Sequence, residues 1–167
     1  ETTAQSRRLI AASIARRPSP LDRQWSKWIE AQAVQYRELG LAGLHSAAEG
    51  SYPLHPLTLA VLPDLCSRYG QSERTLFSFL AGSEPLAVPA FLESQTWSAG
   101  KALPLVRLDR VYDYFLDSAT TSIGTSSTAS RWLEIESRIR DTAGLTNAQS
   151  KVLKSIGVLN LVSSAGS

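Results

Sequence analysis

The sequence predicts an all-α protein, a multi-helix domain of seven or eight helices. Three observations carry that reading. Apolar residues recur at helical spacing through most of the 167 residues. Helix-opening and helix-closing residues stand at the ends of those runs. No stretch alternates apolar and polar long enough to build a strand ladder.

Residues 4–16 open the chain as a helix whose apolar face is Leu9, Ile10 and Ile14, flanked by Arg7, Arg8, Arg16 and Arg17. Ser19 and Pro20 start the next helix as N-cap and first helical residue, with Asp22 favourable in its first turn. That helix runs to about Glu38 and stops at Gly40; Trp25, Trp28, Ile29, Ala33 and Tyr36 form its apolar stripe. Such aromatics can stack bases, but core packing is the stronger expectation. Residues 40–51 read as a loop or a short turn of helix.

Residues 52–80 are the most apolar part of the chain and predict two consecutive buried helices joined at Gly70. The first begins at His55-Pro56, with His55 as its cap, and is apolar nearly all round, as a core helix is. Pro63 is expected to kink it or break it after Leu62. The second, residues 72–81, turns Leu76, Phe77 and Leu80 inward. Ser83-Glu84-Pro85 marks a further helix start, continuing to about Glu93 and interrupted by Pro89, with Leu86, Val88, Phe91 and Leu92 facing the core.

Residues 94–104 form the best linker, dividing a part at 1–93 from a second at 105–167. Leu105–Leu108 reads as a short extended piece. Asp109 then caps a helix with Val111, Tyr112, Phe115 and Leu116 inward. Residues 118–130 hold nine Ser or Thr in thirteen and predict a flexible loop. From Ala129 to Thr142 a helix buries Trp132, Ile135 and Ile139, supported by the pairs Glu134/Arg138 and Glu136/Arg140 and closed at Gly144. Thr146 and Gln149 fit a capping box opening a last helix, with Val152, Leu153, Ile156 and Leu159 as its apolar face.

Composition narrows the function. A net charge of +2 gives no general pull toward nucleic acid or membrane, although residues 1–28 hold six basic and two acidic residues. The single cysteine, Cys66, excludes an intramolecular disulfide and any multi-cysteine metal site; it reads as a buried apolar residue. No apolar run reaches the roughly 18 residues that span a membrane, and no signal peptide opens the chain, so a cytoplasmic location is the simplest expectation. The chain begins at Glu1 and has no methionine, which predicts a piece of a longer polypeptide.

Phosphate-loop, nucleophile-elbow and metal-helix motifs are absent from the sequence. His45 and His55 have no carboxylate at ligand spacing and read as structural. The polar interruption Gln71-Ser72-Glu73-Arg74 is different: it stands at a helix N-terminus, where N–H groups and the helix dipole favour an anion. Arg74 could meet a phosphate and Gln71 or Ser72 could hydrogen-bond it. Glu73 opposes that unless it pairs with Arg74 or Arg68. The competing reading is a first-turn salt bridge.

These residues also carry a family likeness. Tyr52-Pro-Leu-His-Pro-Leu-Thr58, followed by Arg68-Tyr-Gly-Gln-Ser-Glu-Arg-Thr-Leu-Phe-Ser-Phe-Leu80, resembles a segment of large bacterial P-loop ATPases. These include the ATP-binding proteins of phage-resistance systems of the BREX kind and relatives in other defence islands. This chain has Ser72 where asparagine is common. Tyr112-Asp-Tyr-Phe115, Trp132-Leu-Glu-Ile-Glu136 and Leu153–Leu161 look similar too, so the likeness spans residues 52–161.

The resemblance implies a helical lid or relay after a nucleotide-binding core, with the last helix starting a winged-helix-like segment. The phosphate loop and the acidic strand end that would hold Mg²⁺ are missing, which implies an accessory, non-catalytic piece. ATP and Mg²⁺ would belong to the parent protein, and the partner would be the P-loop core of the same polypeptide. By analogy Arg74 is the candidate nucleotide sensor. Two alternatives remain: a nucleic-acid-binding module, with DNA as a possible partner, using Arg7, Arg8, Arg16 and Arg17, or Lys151 and Lys154; and a helical protein-interaction domain.

Overall fold

The computed structural model describes residues 3–14, 19, 21–38, 44–69, 73–96, 101–121 and 127–163. Of residues 3, 4, 45, 46, 73, 74, 118–121 and 127–129 it describes the backbone alone. Among the described residues the chain is helical throughout: α1 (Thr3–Ser13), α2 (Leu21–Glu38), α3 (Leu44–Ala48), α4 (Pro56–Tyr69), α5 (Glu73–Ala81), α6 (Val88–Ser94), α7 (Leu108–Thr121), α8 (Ser127–Asp141) and α9 (Asn147–Ser163). The extended structure among them is one isolated parallel bridge, Leu54 to Val106.

The hub is α4. It packs against α1, α3, α5, α7, α8 and α9, and it buries Thr58, Leu59, Val61, Leu62, Leu65 and Cys66. A helix touched on every side needs apolar residues all round, which its sequence supplies. It runs unbroken through Pro63. A proline removes one N–H from the ladder, and here packing on all sides holds the helix together around it. Arg7 of α1 also donates from its guanidinium to the Ala60 carbonyl at 3.3 Å.

The start of α4 is fastened to a segment about fifty residues later. His55 N–H donates to the Val106 carbonyl at 3.0 Å, and Val106 N–H returns the bond to Pro53 at 2.8 Å. The buried Thr58 hydroxyl donates to the same Val106 carbonyl at 3.0 Å. His55 Nδ1 accepts Leu57 N–H at 3.2 Å, so the histidine caps the helix that Pro56 begins. Leu105 and Val106 are buried and lie outside the helices, as the extended reading of residues 105–108 expects, but Leu108 already opens α7.

Helix α2 lays Trp25, Ile29 and Tyr36 into the core. The Trp25 indole N–H donates to the carbonyls of Ala48 and Glu49 at 3.2 and 3.0 Å, closing the end of the short α3. Trp25 stacks on Trp28 and meets Tyr52 edge-on; Trp28 does the same to His55. The aromatic stripe is therefore core. Ser19 caps this helix through Leu21 N–H, and Asp22 reaches back to Ser19 N–H.

In the second half, α7 and α9 pack together and α8 lies across both. Trp132 is the centre: Phe115 stacks on it at 5.9 Å, Tyr112 tilts against it at 5.4 Å and Tyr69 meets it edge-on at 6.0 Å. Gly157 permits the approach, because a Cβ there would stand 2.8 Å from Ile135 Cγ2 and 3.6 Å from the Tyr112 ring. Gly144 takes the positive φ of 77° that ends α8. Thr146 and Gln149 form the reciprocal capping box of α9, and both acid-first ion pairs of α8 are present at 2.6 Å. One apolar cluster contains residues from Ile10 to Leu161, drawn from both sides of positions 94–104.

Several inward assignments are corrected. In α1 Ile10 is buried and Ile14 packs on the core, but Leu9 is exposed. In α5 the buried pair is Phe79 and Leu80, while Phe77 faces outward; in α6 Leu92 does too. In α9 the buried face is Gly157, Val158 and Leu161, with Leu153 only partly covered. Val152, Ile156 and Leu159, expected inside, are exposed at 57%, 46% and 41%. The cause is that α9 is apolar on two sides, and the side with glycine comes closest to α7 and α8. Pro89 opens α6 and does not interrupt it; residues 84–87 are a turn. Asp109 lies inside the first turn of α7. The Ser/Thr-rich tract is helical at both ends, since α7 continues to Thr121 and α8 begins at Ser127; its middle, like Trp97, Pro20 and Gly40, lies outside the described residues.

Candidate functional site at the joint between α4 and α5

The last turn of α4 is anchored by its own side chains. Tyr69 donates its hydroxyl to the Leu161 carbonyl at 3.1 Å, and Arg68 donates to the Val162 carbonyl. Both acceptors lie in the last described turn of α9, which these side chains fasten to α4. Arg68, considered from the sequence as a partner for Glu73, spends a donor on this fastening.

On the other side of the joint, α5 begins at Glu73. Its far half is fixed by the buried Phe79, which packs at 4.9 Å on Tyr114 of α7. Burial, with Glu84 and Cys66 as smaller influences, pushes the Tyr114 hydroxyl up to about 12, so it stays protonated. Glu73 and Arg74 occupy the first turn of α5, and their side chains lie outside the described residues, as do Gln71 and Ser72 entirely.

Among the described residues, the cations proposed for nucleic acid stand on two helices, α1 and α9. Arg7 is half-buried on the hub, and its Nε has no hydrogen-bond acceptor. Arg8 is exposed; Arg16 and Arg17 lie outside the described residues. Lys151 is exposed on α9. Lys154 pairs with Asp113 of α7 at 2.6 Å and lies over the Tyr112 ring.

Other polar groups hold the body together, and one of them, Arg110, was not singled out in the sequence. Arg110 of α7 donates to the carbonyls of Pro85, Leu86 and Ala87 at 3.1, 3.0 and 3.3 Å, with its guanidinium over the Phe91 ring. A planar fork reaches three carbonyls of one turn from two separate nitrogens, Nε and Nη2, where an ammonium would have to serve all three from a single atom. Tyr112 donates to Glu136 Oε2 at 2.9 Å. Burial first, and that bond second, raise its hydroxyl far above the ordinary tyrosine value. His55 is pushed down to about 4, chiefly by burial and then by the Arg107 charge, so it is a neutral cap. Burial holds the Cys66 thiol at about 12. The signal that could have found Arg110 is weak: an arginine on the half-apolar face of a strongly amphipathic helix.

Among the described residues no group of three or more His, Cys, Asp or Glu side chains could hold a metal ion, and no helix is long and apolar enough to cross a membrane. Comparisons with protein-family models, curated proteins and solved structures give no match to this chain.

Proposed function

We propose that this chain is a non-catalytic helical lid or adaptor of a larger bacterial ATP-binding protein, relaying nucleotide state in phage defence or another DNA transaction. One observation supports it above others: the separated stretches that resemble such ATPases meet in space. Tyr52–Thr58 starts α4 and is clasped by Val106; Tyr112–Phe115 and Trp132–Glu136 share one aromatic cluster; Leu153–Leu161 packs beside them and accepts a hydrogen bond from Tyr69 at Leu161. Motifs scattered over about a hundred residues thus belong to one body organised on α4. In this reading Arg74, at the head of α5, senses a nucleotide held by the P-loop core of the same polypeptide, and the parent protein supplies ATP and Mg²⁺.

The test is Arg74→Ala in the intact ATPase. ATP turnover should fall while the urea midpoint of the helical body stays in place. Unchanged turnover together with unchanged nucleotide affinity removes Arg74 from the mechanism.

The protein-interaction reading gains from the outward stripe Val152, Ile156 and Leu159. It is compatible with an adaptor, because the nucleotide-binding core is itself a partner for an exposed apolar face. The DNA-binding reading has less support, since Arg7 and Lys154 are already engaged within the body.

A further inference from the structure

We infer that Arg107, His55 and Tyr36 form a binding site for a small oxyanion, a phosphate or a carboxylate, beside the entry of α4; the inference stands apart from the adaptor reading. The clasp fixes two of the three. His55 N–H and the Thr58 hydroxyl both donate to the Val106 carbonyl, so Arg107 follows directly from the peptide that holds His55. Helix α2 brings the third. Trp28 meets the His55 ring edge-on at 5.5 Å, and Tyr36 lies two turns further along the same side of α2.

The polar ends of all three are donors. His55 Nδ1 accepts Leu57 N–H and the ring is neutral, so its proton stands on Nε2. Tyr36 is only 5% exposed, and its hydroxyl has no hydrogen-bond partner among the described residues. Arg107 is exposed, and its guanidinium has neither ion pair nor hydrogen bond among them. Its charge acts on both His55 and Tyr36, and no carboxylate among the described residues offsets it at either. A guanidinium beside two uncharged donors, with no acceptor of the protein's own, complements an oxyanion: the fork supplies charge, and the hydroxyl and imidazole supply directed bonds. His55 is partly open to solvent, so the place can be reached. It lies at the opposite end of the 14-residue α4 from the joint, about 20 Å away along the helix.

The experiment is an NMR titration of the isotope-labelled chain at neutral pH with sodium phosphate, against sodium chloride at matched ionic strength. Phosphate should give saturable shifts at the His55 and Arg107 amides that chloride does not. Arg107→Gln deletes the charge, and Tyr36→Phe deletes the hydroxyl while keeping the ring in the core. Each should weaken binding by about tenfold, the worth of one hydrogen bond to a charged group. Arg138→Gln, which removes the same charge from the exposed face of α8, should leave the affinity unchanged. Urea melts of each variant check that the body is intact. Sodium acetate in place of phosphate separates the two sources: saturation by either carries the site, and the tighter one names the ligand class. Shifts by both anions no larger than those in chloride overturn it. Saturable binding that survives Arg107→Gln overturns it as well. Binding that needs Arg107 but is unchanged in Tyr36→Phe reduces the place to a lone surface cation and overturns the three-donor site.

Discussion

Gly157→Ala sets two effects of known size against each other. In an ordinary helix interior, alanine is favoured over glycine by about 1 kcal/mol. At this position the added Cβ would stand 2.8 Å from Ile135 Cγ2, about 1 Å inside the contact distance of two carbons. Overfilling a packed interface costs typically ~1–3 kcal/mol. Ile135 is only half-buried, so α8 can yield a little and the middle of that range, about 2 kcal/mol, applies. A net loss of about 1 kcal/mol is expected, read from urea melts at fixed slope. Ile135→Ala removes the offending Cγ2, and in that background Gly157→Ala should stabilise by roughly the 1 kcal/mol of helix propensity. Ile135→Val retains a branched methyl and should give little relief. The coupling in the double-mutant cycle is then about 2 kcal/mol. If Gly157→Ala by itself raises the urea midpoint, the close approach of α9 to α8 is wrong.

Four further outcomes follow from the same geometry. His55, held at about 4 against an ordinary 6.5, binds fewer protons folded than unfolded between those values; stability should therefore fall as pH drops from about 6.5 to 4. Full linkage gives about 3 kcal/mol, and for a partly buried ring about half of that is expected; His55→Asn, an uncharged cap, should flatten the difference. Thr146→Ala removes one side of the α9 capping box and should cost about 1 kcal/mol in thermal or urea melts, whereas Arg138→Ala, in an exposed pair, should cost under ~0.5 kcal/mol. Arg110→Lys should not rescue Arg110→Ala, because the three carbonyls of residues 85–87 need the fork; near-identical melts for lysine and arginine would contradict this. Cys66 should react with a thiol reagent only at the rate of global opening, with full reaction after denaturation in urea.

The elements were legible because local signals agreed with one another. Ser19 with Asp22, Thr146 with Gln149, and Gly144 each act within a few residues, and each does in the structure what its spacing predicts. Which apolar side turns inward was less legible. Helix α9 has apolar residues on two sides, and the choice was made by Gly157, whose importance depends on Ile135 and Tyr112 elsewhere in the chain. Long-range polar fastenings were invisible for the same reason: nothing near Arg110 names residues 85–87, and nothing near Arg68 names Val162. Of the candidate site, the helix boundary expected at Gly70 falls between α4, which ends at Tyr69, and α5, which begins at Glu73; Gln71, Ser72 and the side chains of Glu73 and Arg74 lie outside the described residues. The sequence could not show that the exit of α4 is tied to the far end of the chain.

The clasp between residues 53–58 and Val106 bears on how the molecule comes into being on the ribosome. Thr58 and His55 wait for a carbonyl that is synthesised about fifty residues later. Until Val106 has left the exit tunnel, the most apolar helix of the chain has a loose beginning and much of its surface uncovered. Nascent chains stalled before that point are the ones a chaperone should recognise.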